Sequence, residues 1–250
     1  MKLGKSEILY GIHPVFEALT AAHRHFYELF IENKQTPRRL ERLVALAASK
    51  KISIKKIKST EFNAILGDCV HQGIAAKVSS YPFTAIDDMI APDKSANSKV
   101  WLLLLDNIQD PHNLGAILRT ASCIGVDGVV IPKDRSVSPT PAVSKVSAGA
   151  LEHVKLARVN NMVRTVNMLK ESGLWIIGMD QHAKPSIYES DFTGPVAMVI
   201  GGEGKGIRPL VKRNCDMLIS VPQVGPIQSL NASVAGAIVM YEAFRQRQLP

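Results

Sequence analysis

Val100-Trp101-Leu102-Leu103-Leu104-Leu105 is an unbroken apolar run of strand length. A run without polar alternation predicts a strand covered on both faces, as in a parallel sheet. Apolar stretches at 128–131, 174–179, 196–200 and 217–221 predict further strands. The spacing over 114–124, 161–172, 208–214 and 232–247 predicts helices between and after them. Strands alternating with helices make an open parallel sheet with crossover connections. The first third is patterned more weakly. Helices are predicted over 14–22 and 38–50, and strands over 26–32, 52–57 and 73–78, so a small α/β unit precedes the large one. Residues 81–97 gather Pro82, Asp87, Asp88, Pro92, Asp93, Ser95 and Asn97. That composition predicts a linker, dividing the chain into 1–80, 81–97 and 98–250.

With 250 residues, 46% of them apolar and 21% charged, the chain has the composition of a folded protein rather than a disordered one. Its three cysteines, Cys69, Cys123 and Cys215, are scattered with no CxxC spacing, so neither a metal centre nor a disulfide framework is expected. The beginning of the chain lacks an apolar leader and no run reaches membrane-spanning length, which predicts a soluble, cytoplasmic protein. The formal charge of +8 is unevenly placed. Residues 1–80 hold 13 Lys and Arg against 7 Asp and Glu, in clusters at Arg38, Arg39 and Arg42 and at Lys50, Lys51, Lys55, Lys56 and Lys58. Cationic surface of this kind attracts polyphosphate through counterion release, although a solvated lysine face kept for solubility has the same composition.

Ligands of open parallel sheets bind beyond the carboxyl ends of the strands, and three loops there are unusual. Asp106-Asn107-Ile108-Gln109-Asp110-Pro111-His112-Asn113 follows the leucine strand, with Asn113 suited to cap the helix and Pro111 to an extended approach. Arg119 lies in that helix among small and apolar sequence neighbours, where a guanidinium is costly to desolvate without an anion. Its partner is then a loop aspartate or a substrate phosphate or ribose. The second loop, Gly201-Gly202-Glu203-Gly204-Lys205-Gly206, offers backbone amides to a ligand. It fits neither the Walker pattern nor the dinucleotide fingerprint, which disfavours an ATPase or a nicotinamide enzyme. The third, Ser229-Leu230-Asn231-Ala232-Ser233, opens a helix that is apolar nearly all round and is expected in the core or in a subunit interface. It contains more capping residues than one helix start needs.

Together the three loops resemble the three motifs of the SpoU/TrmH-type RNA ribose 2′-O-methyltransferases: Asp110 to Ala121, Gly201-x-Glu203-Gly204-x-Gly206, and Ser229-Leu230-Asn231-x-Ser233-Val234-Ala235. Tyr10-Gly11-Ile12-His13-Pro14-Val15 with Glu17-Ala18-Leu19 is similar to the substrate-binding extension of the bacterial branch that methylates a guanosine of 23S ribosomal RNA. One departure is Gly202, where relatives often carry a bulkier residue, which implies a looser loop.

The resemblance implies a ribosomal-protein-like RNA-binding unit, a catalytic unit with a deep trefoil knot, S-adenosylmethionine as methyl donor, and a homodimer acting on large-subunit ribosomal RNA without a metal. By motif position, Gly201, Val221 and Leu230 line the cofactor pocket, and Asn113, Arg119, Glu203, Ser229 and Asn231 surround the reacting ribose. The family assigns proton removal to the arginine matched by Arg119. A guanidinium, which stays protonated in proteins, is also able to keep its charge and stabilise the developing alkoxide. Glu203 is expected to fix Arg119 or its own loop. The competing readings are a transfer-RNA methyltransferase and a non-catalytic RNA-binding protein on the same fold.

Overall fold

A computed structural model describes residues 6–33, 38–90, 99–226 and 229–248, with 38 and 39 given by their backbone alone. The linker residues 91–97 and the glutamine before Ser229 lie outside this set. The chain forms two units, Met1–Pro82 with Pro139–His153, and Phe83–Ser138 with Val154–Pro250.

The first unit is built on β1 (Ser6–Tyr10), α1 (Ile12–Ala21), β2 (Phe26–Glu32), α2 (Arg38–Ser49), β3 (Ile54–Ile57), α3 (Ser59–Leu66) and β4 (Ile74–Ser79). Its sheet runs β1-β4-β2-β3, with β4 antiparallel to both neighbours and β3 parallel to β2. Successive side chains of a strand face opposite ways, and β2 uses both faces. Leu29 and Ile31 pack with Val15, Ala18 and Leu19 of α1 and with Leu40, Leu43 and Ala47 of α2. Phe30 turns the other way, to Ile57, Ala75 and Phe62 of α3. The sequence pattern passes over β1 and α3 because each commits one residue fully to the core, Leu9 and Phe62 respectively.

In the second unit a short α4 (Asp87–Ile90) buries Met89 and leads to β5 (Trp101–Asp106), α5 (Pro111–Ile124) and β6 (Gly128–Pro132). After β6 the chain passes through α6 (Pro141–Val146) and a 3₁₀ turn (Ala150–His153), both in the first unit, and returns as β7 (Leu156–Val159). It continues as α7 (Met162–Glu171), β8 (Trp175–Met179), β9 (Val196–Gly201), α8 (Pro209–Arg213), β10 (Met217–Ile219) and α9 (Ala232–Gln248). All six strands are parallel, in the order β10-β8-β9-β5-β6-β7. Every residue of β5 is buried, as the leucine run predicts. β7 is missed by sequence pattern because only Leu156 and Ala157 of its four residues are buried.

The segment 139–153 is secured in the first unit by a closed electrostatic network. Arg24 Nε and Nη2 donate to the two oxygens of Glu152 at 2.7 and 3.1 Å. Its Nη1 donates to Glu7 at 2.7 Å and to the Ser79 carbonyl at 3.2 Å, and Ser144 Oγ donates to Glu152 at 3.0 Å. Arg24 and Glu152 are 4% and 1% exposed. The ring of Tyr81 lies 5.2 Å from the guanidinium. Burial pushes the Tyr81 hydroxyl pKa up, the Glu152 charge adds to this and Arg24 opposes it. Gly149 permits the close packing: it has φ +88°, and a Cβ there would come within 2.6 Å of Glu17 Cγ.

Candidate active site

The site is assembled at the carboxyl edge of the parallel sheet. Asp110, extended at φ −82° and ψ 123°, is the N-cap of α5 and accepts from His112 N at 2.9 Å, with Pro111 as the first helical residue. The helix therefore starts three residues earlier than the apolar spacing predicts. Proline's fixed φ suits the first turn, where no N–H is needed, and the residue before it is held extended. This overturns the expectation that Asn113 is the cap. Asn113 sits in the first turn of the helix, 5% exposed, with its amide free to bond sideways.

Asp106, at the end of β5 and fully buried, anchors the glycine loop at both ends. Its carbonyl accepts from Gly202 N at 2.9 Å. Its carboxylate accepts from Arg208 N and Nε, each at 2.8 Å, and from Arg208 Nη2 at 2.6 Å. Within the loop Gly206 N donates to Gly202 O at 3.0 Å. A Cβ on Gly202 would stand 2.0 Å from the Asn107 carbonyl oxygen, and one on Gly201 would stand 2.2 Å from the Gly206 carbonyl carbon. The loop is thus tightly held, and the looseness expected from Gly202 is corrected: glycine here admits the backbone of 107 to contact. Asp106 and Arg208 went unassigned in the sequence. The available signals were a carboxylate closing a buried strand and an arginine directly before Pro209, which opens α8.

The three motif loops meet in one hydrogen-bonded cluster. Asn113 Nδ2 donates to Glu203 Oε1 at 2.9 Å, and Asn231 Nδ2 donates to the same oxygen at 2.6 Å and to Asn113 Oδ1 at 2.9 Å. The other end of the Asn231 amide caps α9, its Oδ1 accepting from Ser233 N at 2.9 Å, Val234 N at 3.3 Å and Ser233 Oγ at 2.6 Å. One side chain is therefore both a helix cap and a member of the cluster.

Arg119 takes no part in this hydrogen-bonded cluster. It is exposed and, among the described residues, its guanidinium has no hydrogen-bond or ion-pair partner. The expectation of a desolvated arginine paired with a loop aspartate or with Glu203 is overturned. On a helix the spatial neighbours lie three and four residues away, and the buried face of α5 is formed by Asn113, Leu114, Ile117, Leu118, Ala121 and Ile124, which leaves residue 119 outward. The arginine that does meet a loop aspartate is Arg208. Ser229 is exposed and likewise has no hydrogen bond among the described residues.

The three residues matched to cofactor binding lie on the β10-β8-β9 side. Gly201 ends β9, Val221 follows β10 half-buried, and Leu230, 38% exposed, immediately precedes Asn231. Among the described residues, the backbone N–H and C=O of Val221 and of Leu230 have no hydrogen-bond partner. Nearby, Asp180 at the end of β8 pairs with Lys212 of α8. Burial alone would raise its carboxyl pKa, but the bonds from Lys212 and from the His182 N–H outweigh it and hold it low. No group of three or more His, Cys, Asp or Glu side chains that could hold a metal is found among the described residues.

Comparison with known proteins bears on both units. Residues 8–84 match the family model described as RNA 2′-O ribose methyltransferase substrate binding. The 23S rRNA (guanosine-2′-O-)-methyltransferase RlmB of Escherichia coli K12 is 41% identical over 245 residues, covering 97% of this chain and 99% of that one. The Pseudomonas putida protein of the same description is 38% identical over 249 residues, 99% of each chain. The fold is shared with the SpoU methyltransferase AviRb from Streptomyces viridochromogenes in complex with the cofactor AdoMet, with a TM-score of 0.82 at 21% identity over 98% of this chain and 92% of that one. Residues 100–241, which hold all three motif loops, match the SpoU rRNA methylase family model, and the chain belongs to that family.

Proposed function

We propose that the protein transfers the methyl group of S-adenosylmethionine to the ribose 2′-hydroxyl of a guanosine in 23S ribosomal RNA. The observation that carries this reading is the Asn113–Glu203–Asn231 cluster, which unites the three motif loops in a chain of this family. S-adenosylmethionine, when bound, supplies an electrophilic methyl on a sulfonium. The residues present suit it: Gly201 adds no side chain at the end of β9, and the unengaged backbone groups of Val221 and Leu230 match the donor and acceptor edge of an adenine.

Arg119 is available to the RNA because no hydrogen bond or ion pair among the described residues engages it. Arginine is not deprotonated in proteins, so its part is to hold the negative charge that builds on the ribose oxygen as the hydroxyl proton passes to water. Asn113, Glu203 and Asn231 fix one another and keep the loops in register, and Ser229 adds a free hydroxyl beside them. The exposed Arg42, Lys50, Lys51, Lys55, Lys56 and Lys58 of the first unit bind RNA phosphates. The second unit is read as a deep trefoil knot, which is supported by the sheet order with β10 at the edge and by α9 returning to pack on α5. The homodimer is supported by Leu230, Val234 and Tyr241, apolar residues left exposed at and along α9. Action on ribosomal RNA supports a cytoplasmic location; no helix among the described residues is long and apolar enough to cross a membrane.

The test is methyl transfer from labelled S-adenosylmethionine to unmodified ribosomal and transfer RNA, followed by alkaline digestion. Label in an alkali-resistant dinucleotide from the large ribosomal RNA is expected. Label confined to transfer RNA overturns the substrate, and cofactor binding without transfer to either overturns the activity.

A further inference from the structure

The carboxyl edge of the six-stranded sheet has two sides. β10, β8 and β9 lie to one side of β5 and carry the loops assigned to the cofactor, whereas β6 and β7 lie to the other. The loop leaving β6, residues 133–138, carries two cations. Lys133 and Arg135 are exposed, and among the described residues neither side chain has a hydrogen-bond or ion-pair partner, nor does the exposed Asp134 between them. The loop is nonetheless firmly placed. Lys133 N donates to the Val159 carbonyl at 2.8 Å, and Val137 N donates to the Ile108 carbonyl at 2.9 Å, tying it to the β5 loop that leads into Asn113.

Arg135 has φ +59°. Side chains other than Asn and Asp rarely adopt that conformation, which glycine takes freely. The arginine therefore strains the backbone, and among the described residues its side chain gains no hydrogen bond or ion pair in return. Strain retained beside a functional site is an indication of a role outside folding.

We propose that Lys133 and Arg135 hold the backbone phosphates of the RNA strand flanking the methylated nucleotide, on the side of β5 away from the cofactor. The inference rests on the proposed function and deepens it by giving the substrate strand a path. β6 is one strand spacing, about 4.8 Å, from β5, so a ribose held at the Asn113–Glu203–Asn231 cluster leaves its neighbouring nucleotides within reach of these long side chains. Phosphate is the group that two unpartnered cations in a fixed loop recognise without reading sequence.

The experiment compares the wild type with Arg135→Gly and with Lys133→Ala/Arg135→Gly, using an unmodified transcript of large-subunit ribosomal RNA as probe. Thermal midpoint, RNA affinity across a salt series, and S-adenosylmethionine affinity are measured for each. Arg135→Gly is expected to raise the midpoint by a few degrees, because glycine accepts the positive φ, while weakening RNA binding several-fold. The double variant is expected to lose roughly tenfold, with the slope of log affinity against log salt shallower by about one unit per cation. Cofactor affinity stays at the wild-type value. A residue serving only the fold would move stability and binding in the same direction. Unchanged RNA affinity and salt slope in the double variant, with an active wild type and with Lys55→Ala/Lys56→Ala still weakened, overturns this inference alone. A wild type that neither binds nor methylates the RNA overturns the proposed function together with it.

Discussion

Arg24 and Arg119 stand in regions of opposite electrostatic character. Around Arg24 the charges are enclosed: three of its nitrogens donate to Glu152, Glu7 and the Ser79 carbonyl, and Ser144 saturates Glu152 further. In the second unit the same kind of group is left bare at Arg119 among the described residues, while at the carboxyl edge of the sheet the amides and carboxylate of Asn113, Asn231 and Glu203 are locked to one another. The contrast separates two uses of arginine. A guanidinium whose donors are consumed by the fold contributes shape and stability. One that the fold leaves unsatisfied is available to a ligand, because its charge still has work to do when an anion arrives.

The comparison breaks most readily at Glu152. Glu152→Ala leaves Arg24 buried with only Glu7 and the Ser79 carbonyl as acceptors among the described residues, and removing one partner of a buried pair costs about 3–5 kcal/mol. Urea denaturation is expected to show that loss, and a variant within 1 kcal/mol of the wild type would refute the structural role given to the network. Arg119→Ala is the mirror image. Losing one charge-stabilising donor lowers turnover by about 10²–10³, equivalent to about 2.7–4 kcal/mol of barrier. Because no described residue bonds to the Arg119 guanidinium, melting temperature and S-adenosylmethionine affinity are expected to stay unchanged, which calorimetry checks. Asn231→Asp is the finest probe. The Oδ1 that caps α9 is kept, so a cap worth about 1 kcal/mol survives, while the donor to Glu203 and Asn113 becomes a carboxylate facing a carboxylate. A drop in turnover with a melting temperature shifted by only a few degrees is expected, and a fall in both by similar amounts would mean that the residue is a cap only.

Strand positions in the large unit are most legible at β5, β6 and β9, which are buried almost throughout and so are apolar without interruption. Where burial is partial and neither an apolar run nor an alternation shows it, as in β1, α3 and β7, the pattern gives no signal. The motif residues could be named from order and spacing, but not their contacts. Linear neighbours suggested that Arg119 is enclosed and that Asn113 is a cap, whereas helical rotation and the Asp110-Pro111 start decide both the other way. Likewise Gly202 reads as slack in a glycine-rich string, and only the approach of the Asn107 carbonyl reveals it as a point of contact. Nothing in the apolar pattern marks 139–153 as part of the first unit, since a pairing of Arg24 with a carboxylate 128 residues away has no local periodicity.

That distant pairing has a consequence for synthesis. When residue 82 has been made, the first unit still lacks its last piece, and Arg24 has no Glu152 to meet. Some seventy more residues must follow, roughly 4–14 s at 5–20 residues per second. During that interval β5, α5 and β6 of the second unit are made. The amino-terminal unit therefore begins to fold first but is completed only after part of its successor exists, so the nascent chain builds the two units interleaved rather than in turn.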